Sequence, residues 1–420
     1  MGTVGDGSVE EPINREPDAE TLTNSFLTPS KSQSGSKHIA YERNHGPIQH
    51  LDGDTHKLTI KSDASLSAAQ STIVGKPINT TFSISDLSQF HQHDIVAALQ
   101  CAGNRRHSMR ARLDEVQGID WGNGAVMNAQ WGGVLLRDVL ERVGVQAEDG
   151  RADTYDGIHV QFHSSQPTQE DDYYGASIPL SVAMDAEREC LLATHMNGSP
   201  LTPEHGYPLR VIVPGIIGAR SVKWLDGITL AAEESSNHYQ KRDYKILKGD
   251  IAQRIQETDD EEEKGRIMQD EVKPMGDNPI NCVVAVPSEK SATLEKDEDG
   301  RVMVKGYAIP QGKDGPVMKV EVSIDRGNTW HEASILDDGD ENTTHPSNKG
   351  TTSERGKFSW VLWDCHVPVD GEGDVEDVSI WSKATDRGGN TMDMQHPEGE
   401  WNLRGVGFNA VEGRRGVKIV

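Results

Sequence analysis

Cysteine is scarce in this chain: four occur in 420 residues, at positions 101, 190, 282 and 365, and none forms a Cys-x-x-Cys pair. Isolated thiols exclude a disulfide scaffold and the paired-cysteine zinc and redox motifs, and in a reducing compartment they leave single cysteines free for chemistry. No apolar run reaches the length of about 18 residues that a membrane span needs, so no span is expected. Basic residues are outnumbered, 42 Lys and Arg against 67 Asp and Glu, for a net charge of −25. Nucleic acid and anionic membrane surfaces reward the opposite balance, so neither is an expected partner. An anionic substrate would need a local basic pocket to overcome the global field. The opening residues, MGTVGDGSVEEPINREPDAE, lack the basic and apolar parts of a secretory signal and are too acidic for a mitochondrial presequence. The ending KIV does not match the peroxisomal Ser-Lys-Leu address. A soluble intracellular location is expected, cytoplasm first, with the mitochondrial intermembrane space and the peroxisome left open.

Residues 1–37 are rich in Ser, Pro, Glu and Thr without apolar periodicity and read as a disordered tail. Residues 255–279, with the run DDEEEK, read as a solvated acidic linker. Between them, 38–254 carries short strands, turn glycines and a few helices. Its segment WGGVLLRDVLERVGV (131–145) has Val134, Leu135, Val139, Leu140 and Val143 near helical spacing, and YPLRVIVPG (207–215) reads as a buried strand. From 280 to 420, RVMVKGYAI, VMKVEVSID and KFSWVLWDCHVPV alternate apolar and polar residues between Gly/Asn turns, the pattern of an antiparallel β-sandwich. The expected fold class is α+β, a mixed α/β domain followed by an immunoglobulin-like sandwich.

Three stretches concentrate chemistry. In LQCAGNRR (99–106), Arg105 and Arg106 stand close to Cys101 and would favour its thiolate, a nucleophile or a soft metal ligand; the bland alternative is a buried small hydrophobe. In YERNHGPIQH (41–50), Arg43, Asn44 and His45 present three polar side chains in a row. His38, His45, His50, His56, His91 and His93 invite a zinc reading, but their spacing matches no standard ligand set. In HGYPLRVIVPGIIGARSVKWL (205–225), His205, Arg210, Arg220 and Lys223 gather around turn glycines, a setting that suits phosphate without being a dinucleotide fingerprint or a P-loop. Two further segments put polar groups in unusual company. Tyr244 lies among Lys241, Arg242 and Lys245, and Arg404 sits in what reads as an apolar sandwich strand, where it needs an anionic partner.

Taken in order, RNHGP (43–47), CAGNRR (101–106), YGASIPL (174–180), MNGSPL (196–201), the 205–225 stretch, RDYK (242–245) and WNLRG (401–405) resemble the sulfite oxidase family of molybdenum enzymes. The resemblance spans nearly everything from residue 38 onward. It implies a pyranopterin-dithiolene (molybdopterin) cofactor carrying molybdenum, with Cys101 as the one protein ligand to the metal, consistent with the softness of thiolate. Tyr41, Arg43, Asn44, His45, His205, Arg210, Ser221, Val222 and Lys223 would hold the pterin and its phosphate. Gln166 stands where family members often carry a carboxylate. The substrate pocket would comprise Arg43, Arg106, Trp121, Tyr244 and Arg404, whose guanidinium forks suit a small dianion. Sulfite would be oxidised to sulfate by oxygen-atom transfer. The sister branch, nitrate reductase, is the alternative, but it usually has Met at the position of Arg404. With no His-Pro-Gly-Gly haem motif and only 37 residues before the resemblance begins, neither haem nor flavin is expected. Electrons would then pass to oxygen or to a separate acceptor protein such as a cytochrome. The sandwich resembles the family's dimerisation domain, which implies a homodimer.

Overall fold

The computed structural model describes residues 12–30, 39–75, 77–146, 155–288, 292–336, 356–371 and 373–420. The first half builds two sheets. One runs Asn79–Ser83, Lys57–Ser62, Gly227–Ala231, His159–Ser164, Tyr174–Pro179 across its width. Only the Lys57–Ser62/Gly227–Ala231 pairing in it is parallel. The other pairs Gln92–Gln100 with Val126–Leu135, then Leu191–Met196, which also pairs with Ser199–Pro200 and Arg210–Ile212. Short helices flank them. In the stretch that reads as helical from the sequence, the strand continues through Leu135 and the helix is Leu136–Val143. Val134 and Leu135 pair with Leu192 and Leu191, so sheet register overrides the helical spacing there.

The second half packs two antiparallel-rich sheets. The order is Asn281–Val286, Arg301–Ile309, Val361–Pro368, Ser334–Leu336 in one, and Thr293–Leu294, Glu412–Ile419, Val375–Asp386, Val317–Ser323, His331–Glu332 in the other. Along Arg301–Ile309, Val302 and Val304 are buried while Arg301 and Met303 face out, the period of two that a half-buried strand requires. Val284, Val304, Val320, Trp363 and Val417 fill the space between the sheets. Among the described residues no helix is long and apolar enough to cross a membrane.

Two segments differ from the sequence reading. Residues 12–30, placed by that reading in a disordered tail, lie against the folded body; residues 1–11 and 31–38 are outside the described residues. Arg15 bridges Glu42 backbone to backbone, and Thr28 exchanges hydrogen bonds with Asn128. Leu22 is 2% exposed in a cluster with Val283, Tyr307 and Trp360. The segment has no period because it is held by backbone hydrogen bonds and a few isolated apolar anchors. Much of 255–279 is helical instead of linker: Gly249–Glu257 and Glu261–Glu271 form a pair. Asp260 caps the second helix by accepting from Glu262 N and Glu263 N, and acidic residues in a first turn favour the helix dipole. Ala252, Ile255 and Ile267 pack on Leu247 and Leu403, and Arg254 forms a bidentate pair with Glu271 at 2.7 and 2.8 Å.

Candidate active site

Strand Gln92–Gln100 delivers Cys101 to a tight loop, where Cys101 N donates to Ala125 O at 2.9 Å. The thiol opens on a cleft of about 660 Å³ empty volume. Tyr41, Arg43, Asn44 and His45 reach it from an extended segment beside the N-terminal residues, and Gln166 from beyond strand His159–Ser164. His205 comes from the single turn Pro203–His205, and Arg210 from strand Arg210–Ile212. Ser221, Val222 and Lys223 follow the turn Gly218–Arg220, and Tyr244 follows helix His238–Lys241. Twelve of the fifteen candidate residues therefore line one cleft: Tyr41, Arg43, Asn44, His45, Cys101, Gln166, His205, Arg210, Ser221, Val222, Lys223 and Tyr244.

The other three stand behind that lining. Trp121 is 3% exposed and packs in the cluster that holds Tyr41 and Cys101. Arg106 donates from Nη1 to Ile119 O at 2.7 Å and from Nε to Arg404 O at 3.0 Å. Gly405 makes room for it: a Cβ there would come within 2.6 Å of Arg106 Cγ, at a φ of +55°. Arg404 lies in the loop 401–409, not in a strand, and its anionic partner is Asp243, bound through Nη2. Sequence reasoning missed Asp243, although it sits inside the RDYK motif and is the one acid in a basic run.

The electrostatics of the cleft suit an anion. Arg43, Arg210 and Lys223 line the cleft, and no lining residue is an Asp or Glu. Arg210 donates to His205 O at 2.9 Å and Ser221 O at 3.0 Å, but its buried Nε has no hydrogen-bond partner among the described residues. Burial brings its guanidinium down to about 10. Lys223 donates to Glu204 O at 2.9 Å and to Asn44 Oδ1. Burial first, then the charge of Arg210, holds its ammonium well below the usual lysine range. Buried cations are costly unless anions offset them, and here Asp243 acts on Arg43 and Glu42 and Glu204 on Lys223 only from outside the lining. Gln166 Nε2 is spent on Pro47 O at 2.5 Å, so it braces the Arg43–Pro47 loop.

The thiol behaves differently from the sequence expectation. Burial raises the Cys101 pKa, with Arg106, the Gly103 N–H and Arg43 only partly opposing it. Arg105 is not among the groups that oppose burial most, because it turns away to Asn281 Oδ1 at 2.8 Å and Ala410 O at 3.0 Å in the second domain. A thiolate here therefore needs a metal's charge to persist. His38 lies outside the described residues, and among the described ones no group of three or more His, Cys, Asp or Glu could hold a metal ion.

Comparison with known proteins agrees with this geometry. The family described as "Oxidoreductase molybdopterin binding domain" matches residues 45–239, and the "Mo-co oxidoreductase dimerisation domain" matches 273–411. The chain is 34% identical over 405 residues to a sulfite oxidase of Arabidopsis thaliana, covering 95% of this chain and 90% of that one. It is 36% identical over 415 residues to the mitochondrial sulfite oxidase of Rattus norvegicus, covering 96% of this chain but 63% of the relative's length. The sulfane dehydrogenase SoxCD of Paracoccus pantotrophus shares the fold at a TM-score of 0.64, with 20% identity over 99% of this chain and 91% of that one. The chain carries a molybdopterin-binding domain followed by a Mo-co oxidoreductase dimerisation domain. It belongs to the sulfite oxidase family.

The residues fit that cofactor. The one thiol of the described lining, Cys101, shares the cleft with cations and an orphaned guanidinium N–H, which suits a metal-bearing, phosphate-bearing anion. Gly218 lets the chain close on the cleft, since a Cβ there would lie 2.8 Å from Tyr41 Oη and 3.2 Å from Gln100 O.

Proposed function

We propose that this protein oxidises sulfite to sulfate at a molybdenum-pyranopterin centre. One observation carries the reading: a cleft ending at a buried cysteine is walled by Arg43, Arg210 and Lys223 with no lining carboxylate, in a chain of net charge −25. Cys101 would ligate the metal. His205, Arg210, Ser221, Val222 and Lys223 would hold the cofactor's phosphate and pterin, with Tyr41 and Asn44 beside them. When bound, the cofactor supplies oxygen-atom transfer and takes up the electron pair. Arg43, with Tyr244 opposite, would bind and orient the oxyanion. Arg106 and Arg404 would add positive potential from behind the lining, and Trp121 would keep water from the cysteine side. The dimerisation-domain match supports a homodimer. Electrons would leave to oxygen or to a separate cytochrome, and the acidic surface argues against nucleic acid or membrane partners.

The second reading is nitrate reduction by the same class of centre. Arg404 disfavours it, because extra positive charge rewards a dianion more than a monoanion. Protein made in a cofactor-competent host should contain close to one molybdenum per chain and oxidise sulfite. Nitrate reduction without sulfite oxidation would overturn the reading, as would protein from that host that holds no molybdenum.

A further inference from the structure

A polar chain, buried at its His45–Tyr244 end, leads from the N-terminal segment to Tyr244, and it has a fixed direction. Asn14 Oδ1 accepts from Arg43 Nη1 at 3.0 Å and from Asn44 N at 3.2 Å. Arg43 Nη2 lies 3.0 Å from His45 Nδ1, and His45 Nε2 lies 2.7 Å from Tyr244 Oη. A guanidinium has donors only, so Nδ1 accepts and the single proton of a neutral imidazole sits on Nε2. Burial, followed by the Arg43 charge, holds this imidazole well below its usual range, so the neutral form is the relevant one. Nε2–H then donates to the phenol oxygen, and the phenol's own proton is left to point elsewhere. Tyr244 and Cys101 line the same cleft.

Packing locks both rings. The His45 ring stacks on Tyr174 with centroids 5.1 Å apart and lies 3.9 Å from the ring of Tyr239. Tyr244 has a φ of +50°, which is strained for a bulky residue and persists only where its surroundings dictate it. Oxyanions accept hydrogen bonds and cannot donate them. A phenol free to rotate would present its lone pairs part of the time, whereas one already accepting from His45 presents its proton.

We propose that His45 is a positioning residue that fixes the Tyr244 hydroxyl as a hydrogen-bond donor to an oxyanion in the cleft, with Arg43 and Asn14 setting the direction of the chain. The proposal rests on the reading of this cleft as the sulfite site. The test is a kinetic cycle of His45→Phe, Tyr244→Phe and the double variant, with His45→Gln added because its amide keeps a donor near the Nε2 position. Three quantities are measured on holoenzyme: kcat/KM for sulfite per bound molybdenum, molybdenum content, and sulfate affinity by calorimetry. Each single variant should lose roughly 3- to 10-fold in kcat/KM and in sulfate affinity, the scale of one hydrogen bond. The double variant should lose no more than the worse single, and His45→Gln should recover most of the loss. Losses that multiply in the double variant overturn the proposal. So does a His45→Phe enzyme that loses molybdenum while keeping wild-type kcat/KM per metal. Wild-type protein that binds molybdenum but oxidises no sulfite refutes the functional reading itself, and this inference with it.

Discussion

Replacing Arg404 with Met removes one partner of an ion pair and exposes what the other was doing. The Arg404 side chain is 25% exposed and that of Asp243 is 16% exposed. Burial alone would raise the Asp243 carboxyl; the charge and hydrogen bond of Arg404 outweigh it and bring the group to about 2. That fall from an ordinary value is worth about 2 kcal/mol. In Arg404→Met the support vanishes, while the carboxylate still acts on Arg43, whose guanidinium it helps to hold charged. Sulfite then loses the help of one cation and meets an uncompensated negative charge. A unit charge about 10 Å away at an effective dielectric of about 20 is worth about 1.7 kcal/mol, so KM for sulfite should rise roughly 10- to 20-fold, with a smaller effect on kcat. Adding Asp243→Asn should return part of the loss, because the amide removes the repulsion. The assay is steady-state turnover per bound molybdenum for the single and double variants. A KM within about threefold of wild type in Arg404→Met, or a double variant worse than the single, would refute the reasoning. The pH dependence has a definite sign. The folded-state pKa of Asp243 is depressed, so its contribution to stability is present above the unfolded value of about 3.9 and is lost as pH falls toward 2. In Arg404→Met burial leaves the Asp243 carboxyl raised, so the stability deficit against wild type should be widest near neutral pH and should narrow as pH falls below about 4.

Cys101→Ser should leave a folded protein that retains little molybdenum and no activity, and elemental analysis showing wild-type metal content would contradict the ligand assignment. Gly218→Ala places a Cβ 2.8 Å from Tyr41 Oη and 3.2 Å from a backbone oxygen, so it should cost about 1–3 kcal/mol by overpacking and lower cofactor content. Thermal unfolding that matches wild type would show that the loop relaxes freely. Inorganic phosphate should stabilise cofactor-free protein by about 2.7 kcal/mol at one hundred times its dissociation constant. Chloride at matched ionic strength should not, and Lys223→Met should weaken the effect; an equal response in both proteins would place the anion elsewhere.

The site was legible in the sequence wherever charge and backbone chemistry are local. Arg43–His45, Cys101 and the 205–225 stretch announce themselves as polar or reactive groups beside turn glycines, and the structure brings them to one cleft, except Arg220, which donates to Tyr239 O and Met275 O instead. The sandwich was legible because a half-buried strand must alternate, as Arg301–Ile309 does. Other features depend on contacts that no local pattern encodes. Asn14 reaches Arg43 across 29 positions from a segment without periodicity. The helix at 261–271 and the end of the one at 249–257 read as linker because their charge masks the few apolar residues there, Ile255 and Ile267, that cluster with Leu403. The Cys101 pKa was expected to fall because two arginines are neighbours in sequence. It rises instead, since burial outweighs Arg106 and Arg105 points away.

That division of the two arginines explains how the loop of Cys101 is held. Cys101 belongs to the first domain, yet the loop that carries it is anchored largely by the second. Ala102 O accepts from Gly407 N at 2.8 Å, and Asn104 Nδ2 donates to Tyr307 Oη at 3.0 Å. Arg105 spans to Asn281 and Ala410, and Arg106 to the carbonyl of Arg404. Arg105 is 1% exposed and burial brings it down to about 10, so the loop carries a cation that costs free energy. A packed apolar residue could avoid that cost but could not satisfy Asn281 Oδ1 and the Ala410 carbonyl together. The guanidinium's several donors tie three chain segments at one point, which fixes the cysteine relative to the same loop that presents Arg404 to Asp243. Cys101 and the distant Arg404 are thus registered to each other through the second domain, and a change that shifts the sandwich against the first domain would move both.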